Sequence, residues 1–88
     1  MNAEDRSRAI LVAIALEAKE KWGSRWQAGL VSNYCYIESQ ETGEKVLPVN
    51  RRKQIVRSFE EGSCTLGSLC RIAEAVGAEV ELTIKRKL

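Results

Sequence analysis

The chain has no histidine, a single proline and a single phenylalanine, and only 6% of its 88 residues are aromatic. The missing imidazole removes the side chain most used for proton transfer near neutral pH, and a common metal ligand with it. No glycine-rich phosphate loop and no paired carboxylates stand in for it, so the usual nucleophilic and acid–base arrangements cannot be assembled. Catalysis is therefore not expected. Cys35, Cys64 and Cys70 are odd in number and lack C-x-x-C spacing. They fall short of the four thiolate or imidazole ligands of a structural zinc, so neither a metal nor a cofactor is expected. The same count argues against a disulfide framework and for free, partly buried thiols in a reducing cytoplasm. With so few aromatics there is no visible stacking motif for single-stranded RNA. Trp22 and Trp26 fall on apolar stripes and read as core anchors.

Long hydrophobic runs are also missing. Ala9–Leu16 is apolar over eight residues after Arg6 and Arg8. Glu4 and Asp5 interrupt the basic leader that a secretion signal needs, and no small-residue cleavage site precedes the charged stretch 17–21. The run is far below the roughly 20 residues that span a bilayer. A cytoplasmic location without a membrane partner is the expectation. No internal repeat or low-complexity segment interrupts the chain.

What is present suits a small globular protein: 44% hydrophobic and 30% charged residues, in a length that accommodates one domain, residues 1–88. So short a chain buries a modest share of its surface, and a shared interface would extend its core. The net charge of +2 is unevenly spread. Residues 1–49 carry six Lys/Arg and seven Asp/Glu, whereas residues 50–88 carry eight and five. Arg51, Arg52, Lys53 and Arg57 cluster with no acid among residues 51–57, the kind of patch that attracts a phosphate backbone.

Periodicity predicts a first helix over 3–22, capped by Asn2 and stopped by Gly23, burying Ile10, Ile14, Ala18 and Trp22 with Leu11 and Ala15. Ser24-x-x-Gln27 reads as a capping box for a second helix over 24–37, with Trp26, Leu30, Tyr34 and Ile37 on one face. Gly29 weakens that helix. A competing reading makes 33–49 a short β-hairpin: Asn33–Ile37 is rich in β-formers, Thr42-Gly43 signals a turn, and 45–49 could return. Pro48 suits a paired strand badly, which favours the helix. Residues 38–49 then form an irregular connection. A third helix is expected over 51–61, from Asn50 to Gly62, burying Ile55, Val56 and Phe59. A fourth is expected over 66–76, from Thr65 to Gly77, burying Leu66, Leu69, Ile72, Ala73 and Val76. Residues 79–85 alternate strictly and predict a strand over 79–86. An unpaired strand needs a partner, and the same strand of a second chain would give a two-fold ribbon with Val80, Leu82 and Ile84 at the dimer interface.

Gln54-Ile55-Val56-Arg57-Ser58-Phe59-Glu60-Glu61-Gly62, then Thr65-Leu66-x-x-Leu69-Cys70-Arg71-Ile72-Ala73-Glu74-Ala75-Val76-Gly77 and an alternating tail, resemble the Cro/CI-type (XRE) helix-turn-helix family. Within it they are closest to the HipB-like and HigA-like antitoxin repressors. The resemblance covers about residues 50–86. It implies a mainly α, lambda-repressor-like domain of four helices with a C-terminal strand. It also implies a homodimeric, sequence-specific transcriptional regulator of double-stranded DNA, with a cognate toxin as a further partner. Upstream the chain departs from the family, which places a Thr-Gln-x-x-Leu-Ala helix three or four residues before the recognition helix. Here that position holds Gly43 and Pro48.

In such proteins the second helix of the motif enters the major groove and its N-terminal residues reach base edges. Arg grips guanine, and Asn or Gln grips adenine, in bidentate fashion. Arg52, Lys53 and Gln54 are the candidates for base contacts, with Asn50 at the helix start. Arg51 and Arg57 are phosphate candidates, and Arg25 and Gln27 secondary ones. Cations in the first turns oppose the helix dipole, so a helix selected for stability alone would carry acids there. The alternative function is a protein-interaction module that keeps the helical scaffold without binding DNA.

Overall fold

Asn2 opens the first helix as its cap, its Oδ1 accepting the Asp5 amide at 2.8 Å, in a computed structural model that describes residues 2–81 and 84–86. Helix α1 spans Ala3–Trp22, with Glu4 and Asp5 in its first turn and Lys19 and Lys21 in its last, both matching the helix dipole. Leu11, Ile14 and Ala18 are buried, while Ile10 and Trp22 flank the core. The buried residues all lie on the expected stripe, with Ile10 and Trp22 at its margins.

A single 3-10 turn, Gly23–Arg25, leads into α2, Trp26–Thr42. The expected Ser24 capping box does not form, because the 3-10 turn moves the helix start to Trp26 and no side chain caps it. Gly29 has a packing reason. A Cβ there would lie 2.4 Å from Trp22 Cδ2, so the indole lies against the backbone of α2.

Residues 33–42 are helical, which overturns the hairpin reading. Tertiary contacts outweigh the β-propensity of this stretch. Leu30, Val31, Tyr34, Cys35 and Glu38 share one buried face, and Asn33 Nδ2 donates to the Ala75 carbonyl at the end of the last helix at 3.1 Å. Gly43 ends α2 at φ 76°, and Ser39 Oγ accepts the Val46 amide at 2.9 Å. The connection is therefore shorter than the expected 38–49.

Helix α3 runs Pro48–Glu61, three residues earlier than expected. Proline suits the first helical position because its fixed φ is helical and no amide is wasted there. The cap position falls to Leu47 rather than Asn50. Ile55 and Ser58 are buried, and Gly62 closes the helix at φ 73°. Arg8 reaches across from α1 and donates to the Glu61 carbonyl at 2.9 Å, placing a cation at the negative end of α3.

Helix α4, Leu66–Ala75, starts at Thr65, whose Oγ1 accepts the Ser68 amide at 3.2 Å. Leu69, Ile72, Ala73, Ala75 and Val76 are buried. Leu66 is 54% exposed, contrary to expectation. α2 is the central element: α1, α3 and α4 all pack on it, and α3 and α4 pack on α1 and α2 rather than on each other.

The molecule is mainly helical, and none of its described residues is in a strand. Within 79–86, Val80 packs against the core and Ile84 is 98% exposed. Leu82 lies outside the described residues. An alternating segment offers its backbone groups to a neighbouring strand, and no other described segment of the chain is extended into one.

Candidate nucleic-acid interface

The first three turns of α3 hold most of the expected contact residues. Asn50, Arg52, Lys53, Gln54 and Arg57 are exposed. At about 100° per residue, Asn50, Lys53, Gln54 and Arg57 fall at i, i+3, i+4 and i+7 and form one outward ridge. Arg52 stands about 100° round from Lys53, towards the flank that carries Val56 and Phe59. Among the described residues neither Arg52 nor Lys53 has a carboxylate partner. Arg57 makes only a surface contact at 3.5 Å with Glu61, one turn on.

Arg51 behaves differently. Its Nε and Nη2 donate to Glu38 Oε1 and Oε2 at 3.1 and 2.8 Å. Glu38 is buried on α2, and a phosphate reaching Arg51 would have to displace it. Arg51, expected as a phosphate contact, lies on the inner side of α3 with Ile55 and Ser58, where it meets the carboxylate instead. Arg71 of α4 joins the same carboxylate through Nη1 at 3.2 Å, and the Tyr34 hydroxyl at 3.3 Å. Its Nη2 reaches Glu41 at 2.7 Å, and its guanidinium lies 5.4 Å from the Tyr34 ring centroid. Three helices are thereby tied at one point.

The electrostatics follow from these contacts. Hydrogen bonding from Arg51, then the charges of Arg51 and Arg71, hold the Glu38 carboxyl below its ordinary range against the opposing effect of burial. Arg51 is raised by its bond to Glu38, and Arg71 by its bonds to Glu41 and Tyr34. Burial pushes the Cys35 and Cys64 thiols up, so neither is an activated thiolate.

Arg25 and Gln27 are not brought to this site. They sit where α2 begins, beside Trp26, whose ring packs edge-on against Phe59 near the end of α3 at 5.3 Å. Arg51 meets α2 at Glu38, eleven residues and about 16 Å further along the helix. Gln27 is also half-buried.

Glu38, Glu41, Tyr34 and Arg71 did not emerge from the sequence as a cluster. A signal existed: Trp26, Leu30 and Tyr34 repeat every fourth residue, and the next place in that series is Glu38. A carboxylate on an apolar stripe calls for a cationic partner. No helix of the described residues is long and apolar enough to cross a membrane. No protein-family model matches the chain, and comparison with curated proteins and with solved structures gives no match.

Proposed function

We propose that this protein is a sequence-specific, double-stranded DNA-binding transcriptional regulator, acting as a cytoplasmic homodimer with the N-terminal half of α3 in the major groove. The observation that carries the reading is the contrast between two helix starts. α1 begins with Glu4 and Asp5, as the dipole favours, whereas α3 has no acid in its first turn and carries Arg51, Arg52 and Lys53 close behind it. Arg51 has a carboxylate to answer it. Arg52 and Lys53 have none among the described residues, and a polyanion would supply one. Asn50 and Gln54 lie beside Lys53 with groups able to read adenine. Glu60 and Glu61 make the far end of α3 unfavourable to phosphate, which leaves the helix start as the contact. The resemblance of residues 50–86 to Cro/CI-type repressors points the same way.

With Arg51 committed to Glu38, three cations per protomer remain: Arg52, Lys53 and Arg57. A dimer neutralising about six phosphates gives a slope of log K against log salt near −5. Lys53→Ala should flatten it by about 1.8 in a dimer, and Gln54→Ala should weaken discrimination between operators more than affinity for random DNA. The measurement is fluorescence anisotropy on upstream DNA and on random duplex across a salt series. Equal and salt-independent signals would defeat the proposal.

A second reading, an interaction module without DNA binding and with a cognate toxin as one such partner, is favoured by Leu47 and Val49. Both are exposed beside the start of α3, Val49 by 81%. It predicts that Val49→Asp abolishes partner capture while Lys53→Ala does nothing.

A further inference from the structure

The interior face of α1 is accounted for by Leu11, Ile14 and Ala18, but α1 is apolar on its outer face as well. Ala9, Val12, Ala13 and Leu16 fall at i, i+3, i+4 and i+7, and all are exposed, Val12 by 54% and Leu16 by 59%. Among the described residues no element covers them. A four-residue apolar stripe on a solvent-facing helix destabilises nothing by itself, yet it is the pattern of a helix that meets another helix.

The charges at its two ends identify that other helix. Asp5 and Arg6 lie at the start of the stripe, Lys19 and Glu20 at its end, all exposed. None of the four is in an ion pair within the described residues. Asp5 and Lys19 lie on the Val12 side of the stripe, and Arg6 and Glu20 on the Ala13 side, from their angular positions. Two antiparallel copies related by a two-fold axis bring like sides together. Placing Ala9 opposite Leu16 of the second copy sets Val12 beside the second Val12, Asp5 within one residue of Lys19, and Arg6 within one residue of Glu20. Each contact occurs twice. A parallel pairing would bring unlike sides together and set Asp5 beside Arg6 and Lys19 beside Glu20 of the second copy. It would also lay like ends of the two helix dipoles side by side, whereas the antiparallel pair sets each positive end beside a negative one. Sliding the antiparallel pair by one turn puts Leu16 against Asp5, or Ala9 against Glu20. Lys19, whose ammonium stands 5.7 Å from the Trp26 ring centroid, reaches the second copy by a rotation of its long side chain.

We infer that α1 is a self-association surface whose occupant is α1 of a second copy of this chain, antiparallel and centred between Val12 and Ala13. The argument does not use α3 or the DNA-binding proposal. The strip is about 23 Å long and one helix wide, burying roughly 400–500 Å² per protomer, about half of a standard stable interface. The contact therefore falls among the small, transient interfaces rather than the permanent ones.

Sedimentation equilibrium of the full chain without DNA, from about 5 µM to 1 mM, tests this. Wild type should move from monomer to dimer across that range. Leu16→Glu should weaken association at least tenfold, with an unchanged helical circular dichroism spectrum because Leu16 is on the surface. Arg6→Glu and Glu20→Arg should each weaken it several-fold, and the double variant should restore it, an outcome that a nonspecific apolar contact cannot produce. A monomer at every concentration would overturn the inference. So would a dimer indifferent to Leu16→Glu, or one broken instead by Leu82→Asp, which would assign the contact to the C-terminal segment.

Discussion

Replacing Glu38 by glutamine keeps the shape of the side chain and removes the charge that ties α2 to α3 and α4. Three guanidinium nitrogens donate to it within 3.2 Å: Arg51 Nε, Arg51 Nη2 and Arg71 Nη1. A hydrogen bond to a charged group contributes about 1.5–3 kcal/mol, and breaking a fully buried pair costs about 3–5 kcal/mol. Here the cationic partners are 35% and 24% exposed and can rehydrate in part, and Arg71 keeps Glu41. The expected loss is about 2–3 kcal/mol, a fall in Tm of about 10–20 °C for a domain of this size. The pH dependence has a definite sign. Glu38 is held below its ordinary value of 4.5 in the folded protein, so its stabilisation is complete above that value and disappears as pH falls through the lowered one. Urea titrations of wild type and Glu38→Gln should differ most at neutral pH and converge in acid. A difference below about 0.5 kcal/mol at pH 7, or one that persists unchanged into strong acid, would refute the reasoning. The same variant frees Arg51. If α3 meets phosphate, the salt slope of DNA binding should steepen by about 0.9 per protomer even as stability falls.

Gly29→Ala separates propensity from packing. In an open helix it would stabilise by about 1 kcal/mol, but the new Cβ would fall 2.4 Å from the Trp22 ring. Displacing that indole should leave a net loss of about 1–2 kcal/mol by thermal melting, and a gain would contradict the observed contact. Thr65→Ala removes the cap of α4 and should cost about 1 kcal/mol in urea unfolding, while Thr65→Ser, which retains the acceptor for the Ser68 amide, should cost far less.

Several features whose physics is contained within one helical turn were legible in the sequence, although the caps expected at Ser24 and Asn50 did not form. Asn2 and Thr65 cap α1 and α4 through bonds three residues long, and Gly23, Gly62 and Gly77 follow helix ends with the positive φ that suits glycine. The exposure of Asn50, Lys53, Gln54 and Arg57 on α3 was also readable, because it follows from helical spacing. The boundaries of α2 and α3 were not. The β-formers at 33–37 become helical only because Tyr34 and Cys35 find a core and Asn33 finds the carbonyl of Ala75, a residue 42 positions away. Likewise, local pattern places Arg51 and Arg52 in one cationic cluster open to a nucleic acid. Their difference depends on Glu38, thirteen residues back on another helix. Spacing along one helix is set by covalent geometry and is written in the chain. The rotation and packing of helices against each other decide which charges meet, and those arise only when the core closes.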